Sequence, residues 1–88
     1  MTTVPLEIVF EQAEYFHDSA ADCIRNKGAV RAARQNLDCC FGVIRVIDSY
    51  LRNGGALQGV DKERLDRLKE GYDKFDAEIE KAETQLSK

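Results

Sequence analysis

The chain is poor in the residues that build catalytic and metal centres. It contains one histidine, three cysteines and no tryptophan in 88 residues. A zinc site needs about four ligands held close together, whereas His17 and the three cysteines are scattered over two predicted helices. Nucleophilic catalysis needs a cysteine or serine beside a base, and no such set converges. No glycine-rich phosphate loop leads from a strand into a helix. We therefore expect neither an enzyme nor a bound metal or cofactor.

Long apolar runs are also missing. No segment approaches the ~20 apolar residues that span a bilayer. The N-terminal stretch lacks the basic region of a signal peptide, and Glu7, Glu11 and Glu14 interrupt it. An odd number of cysteines without an export signal is typical of a reducing compartment. The sequence thus predicts a cytoplasmic protein with no membrane partner.

The chain has no excess of positive charge. Its net charge is −3, whereas phosphate binding requires a clear basic excess, so we do not expect a nucleic-acid partner. One basic cluster spans a predicted turn between helices, where charged side chains stay solvated: Arg25, Lys27, Arg31 and Arg34.

What the chain does have is unbroken apolar periodicity. Apolar residues recur at alternating steps of three and four, the a/d pattern of helices that pack along their length. The first two stripes are Leu6, Val9, Ala13, Phe16, Ala20, Cys23 and then Val30, Ala33, Leu37, Cys40, Ile44, Ile47, Leu51. The third is Leu65, Leu68, Tyr72, Phe75, Ile79, Ala82, Leu86. The pattern predicts three helices, at about 5–26, 29–53 and 62–86.

Helix-ending residues agree with these limits. Pro5 suits the first turn of a helix, where its missing N–H is not needed, and Thr3 is the expected cap before it. Gly28 and Gly54 follow the first two stripes and can take the left-handed conformation that ends a helix.

The third helix is expected to begin after Asp61 as its cap. Val60 and Leu65 have the spacing of a hydrophobic staple around that cap. Short connections between helices of similar length predict an all-α fold, a single domain over residues 1–88. Its architecture is an antiparallel up-down-up three-helix bundle.

Heptad positions separate the neighbouring cysteines. Cys40 lies at d, on the stripe, and is expected in the core, whereas Cys39 lies at c and is expected on the surface. Cys23, at d of the first helix, is also expected in the core. Antiparallel folding about residues 27–28 places Cys23 and Cys40 ~12 Å apart along the axis, which is too far for a disulfide.

Two polar features have ordinary structural interpretations. His17 lies at e, beside the core, and we expect it to bond to a nearby carboxylate, although a pH-responsive role stays open. The third helix is charged outside its stripe, and we expect pairs at i, i+4 on a solvated face: Lys62–Asp66, Glu63–Arg67 and Glu70–Lys74.

Some apolar residues of the first two helices lie outside the stripes. They occupy c and g positions that antiparallel pairing brings level with one another, with a glycine at f beside them. A glycine inside a helix costs about 1 kcal/mol relative to alanine and leaves room for another backbone. An apolar stripe on two helices suggests a contact site, unless a different helix rotation makes it core. The candidate partner-binding residues are Ile8, Tyr15, Cys39, Gly42, Val43, Val46 and Tyr50.

This surface supports two hypotheses of function. The preferred one is a non-enzymatic module that masks a partner protein, receiving an amphipathic helix between its first two helices, as a chaperone or inhibitor. The alternative is a self-associating coiled-coil module whose surface is a homodimer contact. As a bundle alone, the chain resembles small secretion and flagellar export chaperones, three-helix trafficking modules and phage-encoded inhibitors of host defence proteins.

Overall fold

A computed structural model describes residues 5–86. Within this range the chain forms three helices, α1 (Leu6–Arg25), α2 (Val30–Arg52) and α3 (Gly59–Leu86), and no strand. All three helices pack against one another, and the contact between α1 and α2 is the most extensive. The predicted all-α three-helix bundle is confirmed, with each boundary of α1 and α2 within one residue. Thr3 lies outside the described range.

Glycines reverse the chain after α1 and α2, as predicted. Gly28 and Gly54 have φ values of 62° and 93°, a backbone conformation that a Cβ disfavours. After α2 the N–H of Gly55 donates to the carbonyl of Tyr50 at 2.9 Å, which satisfies an acceptor left open at the helix end.

The start of α1 differs slightly from the expectation. Pro5 is the residue before the helix rather than part of its first turn, because its backbone is extended, with φ −60° and ψ 140°. Its carbonyl accepts a hydrogen bond from the N–H of Ile8 at 3.0 Å. Proline suits this position as well, since its fixed φ is near the helical value.

The start of α3 was predicted three residues too late. The helix begins at Gly59, and the N–H of Lys62 already donates to the carbonyl of Gln58 at 2.9 Å. Asp61 therefore lies in the first turn instead of capping it. A carboxylate there is favourable because the N-terminal end of a helix carries partial positive charge.

The predicted staple between Val60 and Leu65 is wrong. Val60 is exposed, whereas Leu57, in the loop before α3, is buried against the core with Leu65. The loop residue thus supplies the apolar contact that the sequence pattern assigned to Val60.

The core follows the three stripes, with a rotation of α1. The stripe of α2 is buried from Ala33 to Ile47, but in α1 the fully buried aromatic is Phe10, at an e position, while Phe16 is only half-buried. Leu86, the last residue of the third stripe, is exposed. Two buried clusters result, and Tyr72 packs against both of them.

Arginines join α3 to the other helices. Arg64 is 13% exposed and bonds Glu7 at 2.6 Å and Glu14 at 2.5 Å, with its guanidinium 4.8 Å from the centre of the Phe10 ring. Arg34 of α2 bonds Asp76 at 2.6 Å and Glu83 at 2.9 Å. These bonds seat α3 against one side of the α1–α2 pair.

The charges of α3 therefore pair across helices. Lys69 bonds Asp48 of α2, and Glu78 bonds Arg25 of α1, each at 3.0 Å. None of the three i, i+4 pairs expected along α3 forms a salt bridge in the described chain. The six residues of those pairs are nonetheless exposed, as expected for a solvated face, and only their pairing was predicted wrongly.

Candidate protein-binding face

Five of the seven candidate residues define what we call the outer face: Ile8, Tyr15, Cys39, Gly42 and Val46. Glu7 and Glu14 point toward α3. Ile8 follows Glu7 and Tyr15 follows Glu14, so each lies ~100° further around α1. On α2, Asp48 binds α3, whereas Val46 lies two residues earlier, on the opposite side of the helix. The outer face is thus the side of the α1–α2 pair that α3 does not cover.

Large side chains of the outer face are open to solvent. Tyr15 is 62% exposed, Val46 58% and Ile8 46%. The Tyr15 ring packs edge-on against Phe16, with ring centres 5.4 Å apart, which leaves its opposite face free for contact. The space around Gly42 is open, because apart from the adjoining α2 backbone and the two neighbouring residues no atom comes within 4 Å of the position that a Cβ would occupy.

The other two candidates have contacts within the monomer. Val43 is half-buried and packs against the core between the helices. Tyr50 is half-exposed, but its ring lies against Gly55 and its hydroxyl donates to the carbonyl of Ala56 at 3.4 Å. Val43 therefore forms part of the floor beneath the outer face, and Tyr50 borders it next to the α2–α3 loop.

Carboxylates line the edge of the outer face that belongs to α1. Glu11 lies one turn from both Ile8 and Tyr15 and forms no ion pair with the residues described. Asp18 follows one turn after Tyr15 and is 80% exposed, with a 3.0 Å hydrogen bond to Nδ1 of His17. We call Glu11 and Asp18 the acidic edge.

The basic cluster at the α1–α2 turn is largely neutralised. Arg25 bonds Glu78, Lys27 bonds Asp22 at 3.2 Å, and Arg34 bonds two carboxylates of α3. Hydrogen bonds from Asn26 and Lys27 hold the pKa of Asp22 below its usual value, which keeps this partner charged. Three of the four cations are thus committed within the monomer.

Phe41 is an exposed apolar residue that the sequence pattern did not single out. It is 43% exposed and lies over Tyr72 of α3, with ring centres 5.3 Å apart, and beside the guanidinium of Arg45. Together with Lys69 it lines a shallow cavity of about 220 Å³ between α2 and α3. Its e position, next to the stripe, was the available signal. Because Phe41 has two partners in the chain, it is less open than the outer face.

The thiols are separated as the heptads predicted, except for Cys23. Cys40 is fully buried, and burial raises the pKa of its thiol to about 11, so it is inert at neutral pH. Cys39 is exposed, whereas Cys23 is only half-buried, beside the amide of Asn36. Over residues 5–86, no three His, Cys, Asp or Glu side chains are grouped as metal ligands.

His17 occupies the predicted boundary position and bonds a carboxylate, that of Asp18. Its ring also packs edge-on against Phe75 of α3, at 5.1 Å between centres, and lies directly over Gly71. The histidine therefore packs in the α1–α3 contact, on the side away from the outer face.

Over residues 5–86 the chain is a small three-helix bundle in which α1 and α2 share an uncovered apolar face. No family model matches the chain, and no curated protein or solved structure is significantly similar to it. Among residues 5–86, no helix combines the length and apolar composition needed to cross a membrane.

Proposed function

We propose that this protein is a non-enzymatic binding module that masks a partner protein by covering it with the outer face. The observation that carries the proposal is the exposure of Ile8, Tyr15 and Val46 on the side of the bundle that α3 leaves open. Apolar side chains clustered on two adjacent helices are typical of contact sites rather than of ordinary surface. A partner helix lying across α1 and α2 would complete a four-helix arrangement.

Tyr15 is the expected centre of binding energy. Interface energy concentrates in a few large side chains, tyrosine among them, and Tyr15 is the aromatic residue of the outer face and its most exposed large side chain. Chaperone and inhibitor are both compatible with a masking role. The exposed thiol of Cys39 fits a reducing cytoplasm as the place of action.

The experiment is capture of binding proteins from the native cell with matched variants. Tyr15→Ala and Val46→Asp should each weaken capture of a specific protein, by about 2 kcal/mol or roughly 30-fold in affinity. Val60→Asp is the control, because Val60 is exposed on α3 and receives the same substitution. If the Val46→Asp and Val60→Asp variants capture the specific protein equally well, that protein does not bind the outer face. This result would contradict the proposal.

Self-association is the alternative function, with the outer face as a homodimer contact. The observation that favours it is the exposure of Ile8, Tyr15 and Val46, which a two-fold symmetric contact between two copies would bury. Sedimentation at micromolar concentration distinguishes the two. A tight dimer that Val46→Asp dissociates and Val60→Asp preserves would establish the alternative, whereas a monomer at these concentrations favours the masking role.

A further inference from the structure

From the charges around the outer face we infer that its occupant is an amphipathic helix carrying lysines or arginines along the edge that faces α1. The inference rests on the proposed function and adds the chemical class of the partner.

The acidic edge supplies the first step. Glu11 and Asp18 lie one turn from Tyr15 on α1, and both are exposed. Glu11 forms no ion pair in the described chain. There Asp18 bonds the ring of His17, which carries a charge only when it is protonated. A helix lying against Tyr15 would bring its flanking side chains to these carboxylates. Cationic side chains of the partner would be attracted to these carboxylates, whereas carboxylates of the partner would be repelled.

On α2 the corresponding cations point elsewhere. Arg34 is bound to Asp76 and Glu83 of α3, and the guanidinium of Arg45 lies over the Phe41 ring, on the α3 side. The α2 part of the outer face is formed by uncharged residues, Cys39, Gly42 and Val46. Beyond Gly42 the flank of α2 carries charges of both signs, because Asp38 and Arg45 each lie one turn from Gly42 and both are exposed. The excess of negative charge therefore lies on the α1 edge, where we expect the basic residues of the partner.

Gly42 decides how closely the occupant approaches. The space above it is open, and both Cys39 and Val46 lie one turn away on the same helix. A side chain of the partner can rest on the α2 backbone at this point. A helix with a leucine-rich face and a basic edge matches this combination of apolar surface, open backbone and acidic edge.

The test uses two synthetic helical peptides with the same leucine face, one with lysines along one edge of that face and the other with glutamates along the same edge. Binding is measured by fluorescence anisotropy at low and physiological salt. The lysine peptide should bind the wild-type protein at least about tenfold more tightly than the glutamate peptide, and salt should weaken its binding. Glu11→Lys should reduce its affinity about fivefold or more. Glu70→Lys, an equal charge change on the exposed surface of α3, should leave it within about twofold.

Each other result overturns the inference in a recognisable way. Equal binding of both peptides, with both weakened by Tyr15→Ala, would leave the proposed face standing and reject the charge preference. Lysine-peptide binding that Tyr15→Ala does not change would reject the face itself. Equal losses in Glu11→Lys and Glu70→Lys would show attraction to net charge alone. No binding of the lysine peptide would reject this class of partner.

Discussion

Cys40 shows how one buried thiol makes stability depend on pH. The side chain is fully buried and its pKa is raised to about 11, because burial disfavours the thiolate. Between about pH 9 and 11 the unfolded chain loses this proton while the folded chain keeps it. The unfolded state then binds fewer protons, so stability must fall as the pH rises through this range.

Alkaline unfolding of matched variants measures this effect. The free energy of unfolding of wild type, taken relative to that of Cys40→Ala, should fall by about 1–2 kcal/mol between about pH 8.5 and 11, since only wild type has the buried thiol. Cys39→Ala is the control, because its thiol is exposed in the folded protein. Urea unfolding at each pH gives the values. If the free energy of unfolding of wild type falls equally relative to that of Cys39→Ala, the buried thiol is not the cause.

Two helical glycines, Gly42 and Gly71, have opposite surroundings. Gly42 faces open space, whereas a Cβ at position 71 would overlap the ring of His17. That ring is held in place by Phe75 and by its bond to Asp18, so it has little freedom to move aside. Gly71 therefore allows α1 and α3 to approach each other where His17 lies between them.

Alanine substitutions should separate these two roles. Gly42→Ala should stabilise the protein by up to about 1 kcal/mol through helix propensity alone. Gly71→Ala should destabilise it by about 1–2 kcal/mol, because overpacking outweighs that gain. Chemical denaturation gives both values. The double variant His17→Ala/Gly71→Ala should recover part of the Gly71→Ala loss, and if Gly71→Ala stabilises like Gly42→Ala the close approach is not tight.

Helix α3 is held by long-range ion pairs as well as by its apolar stripe. Arg64 is nearly buried between two carboxylates of α1, and Arg34 is bound by two carboxylates of α3 itself. Both bonds raise the pKa of the guanidinium further above its usual value. Paired and partly shielded arginines contribute more than exposed ion pairs do. Because they hold α3 on one side, α1 and α2 keep an uncovered face on the other.

A bundle of this size has little stability to lose. A domain of 88 residues buries only about 60–65% of its unfolded surface, so its free energy of unfolding is small. Substitutions in the core should lower that free energy much more than substitutions on the surface. Ile44→Ala, in the core, should cost about 2–5 kcal/mol, whereas Val46→Asp should stay within about 1 kcal/mol of wild type. Urea melts followed by circular dichroism give both. Equal losses would mean that Val46 belongs to the core and that the outer face is wrongly placed.

Local pattern was enough to predict the helices and most of the core. The a/d stripes follow from the 3.6-residue repeat, which is a property of each segment alone, and Gly28 and Gly54 end helices through their own backbone freedom. The exposure of Ile8, Tyr15 and Val46 was predicted by the same reasoning, since c positions point away from any a/d seam. The binding role of these residues stays a proposal.

Tertiary structure alone decided the features that depend on distant segments. Phe10 is buried at an e position because Arg64 of α3 covers that side of α1, and the partner Glu14 lies 50 residues away in the chain. Leu57 replaces Val60 in the core because the loop packs back on the helices it joins. The local repeat does not determine which helix covers a given flank, because that depends on contacts formed only when all three helices have come together.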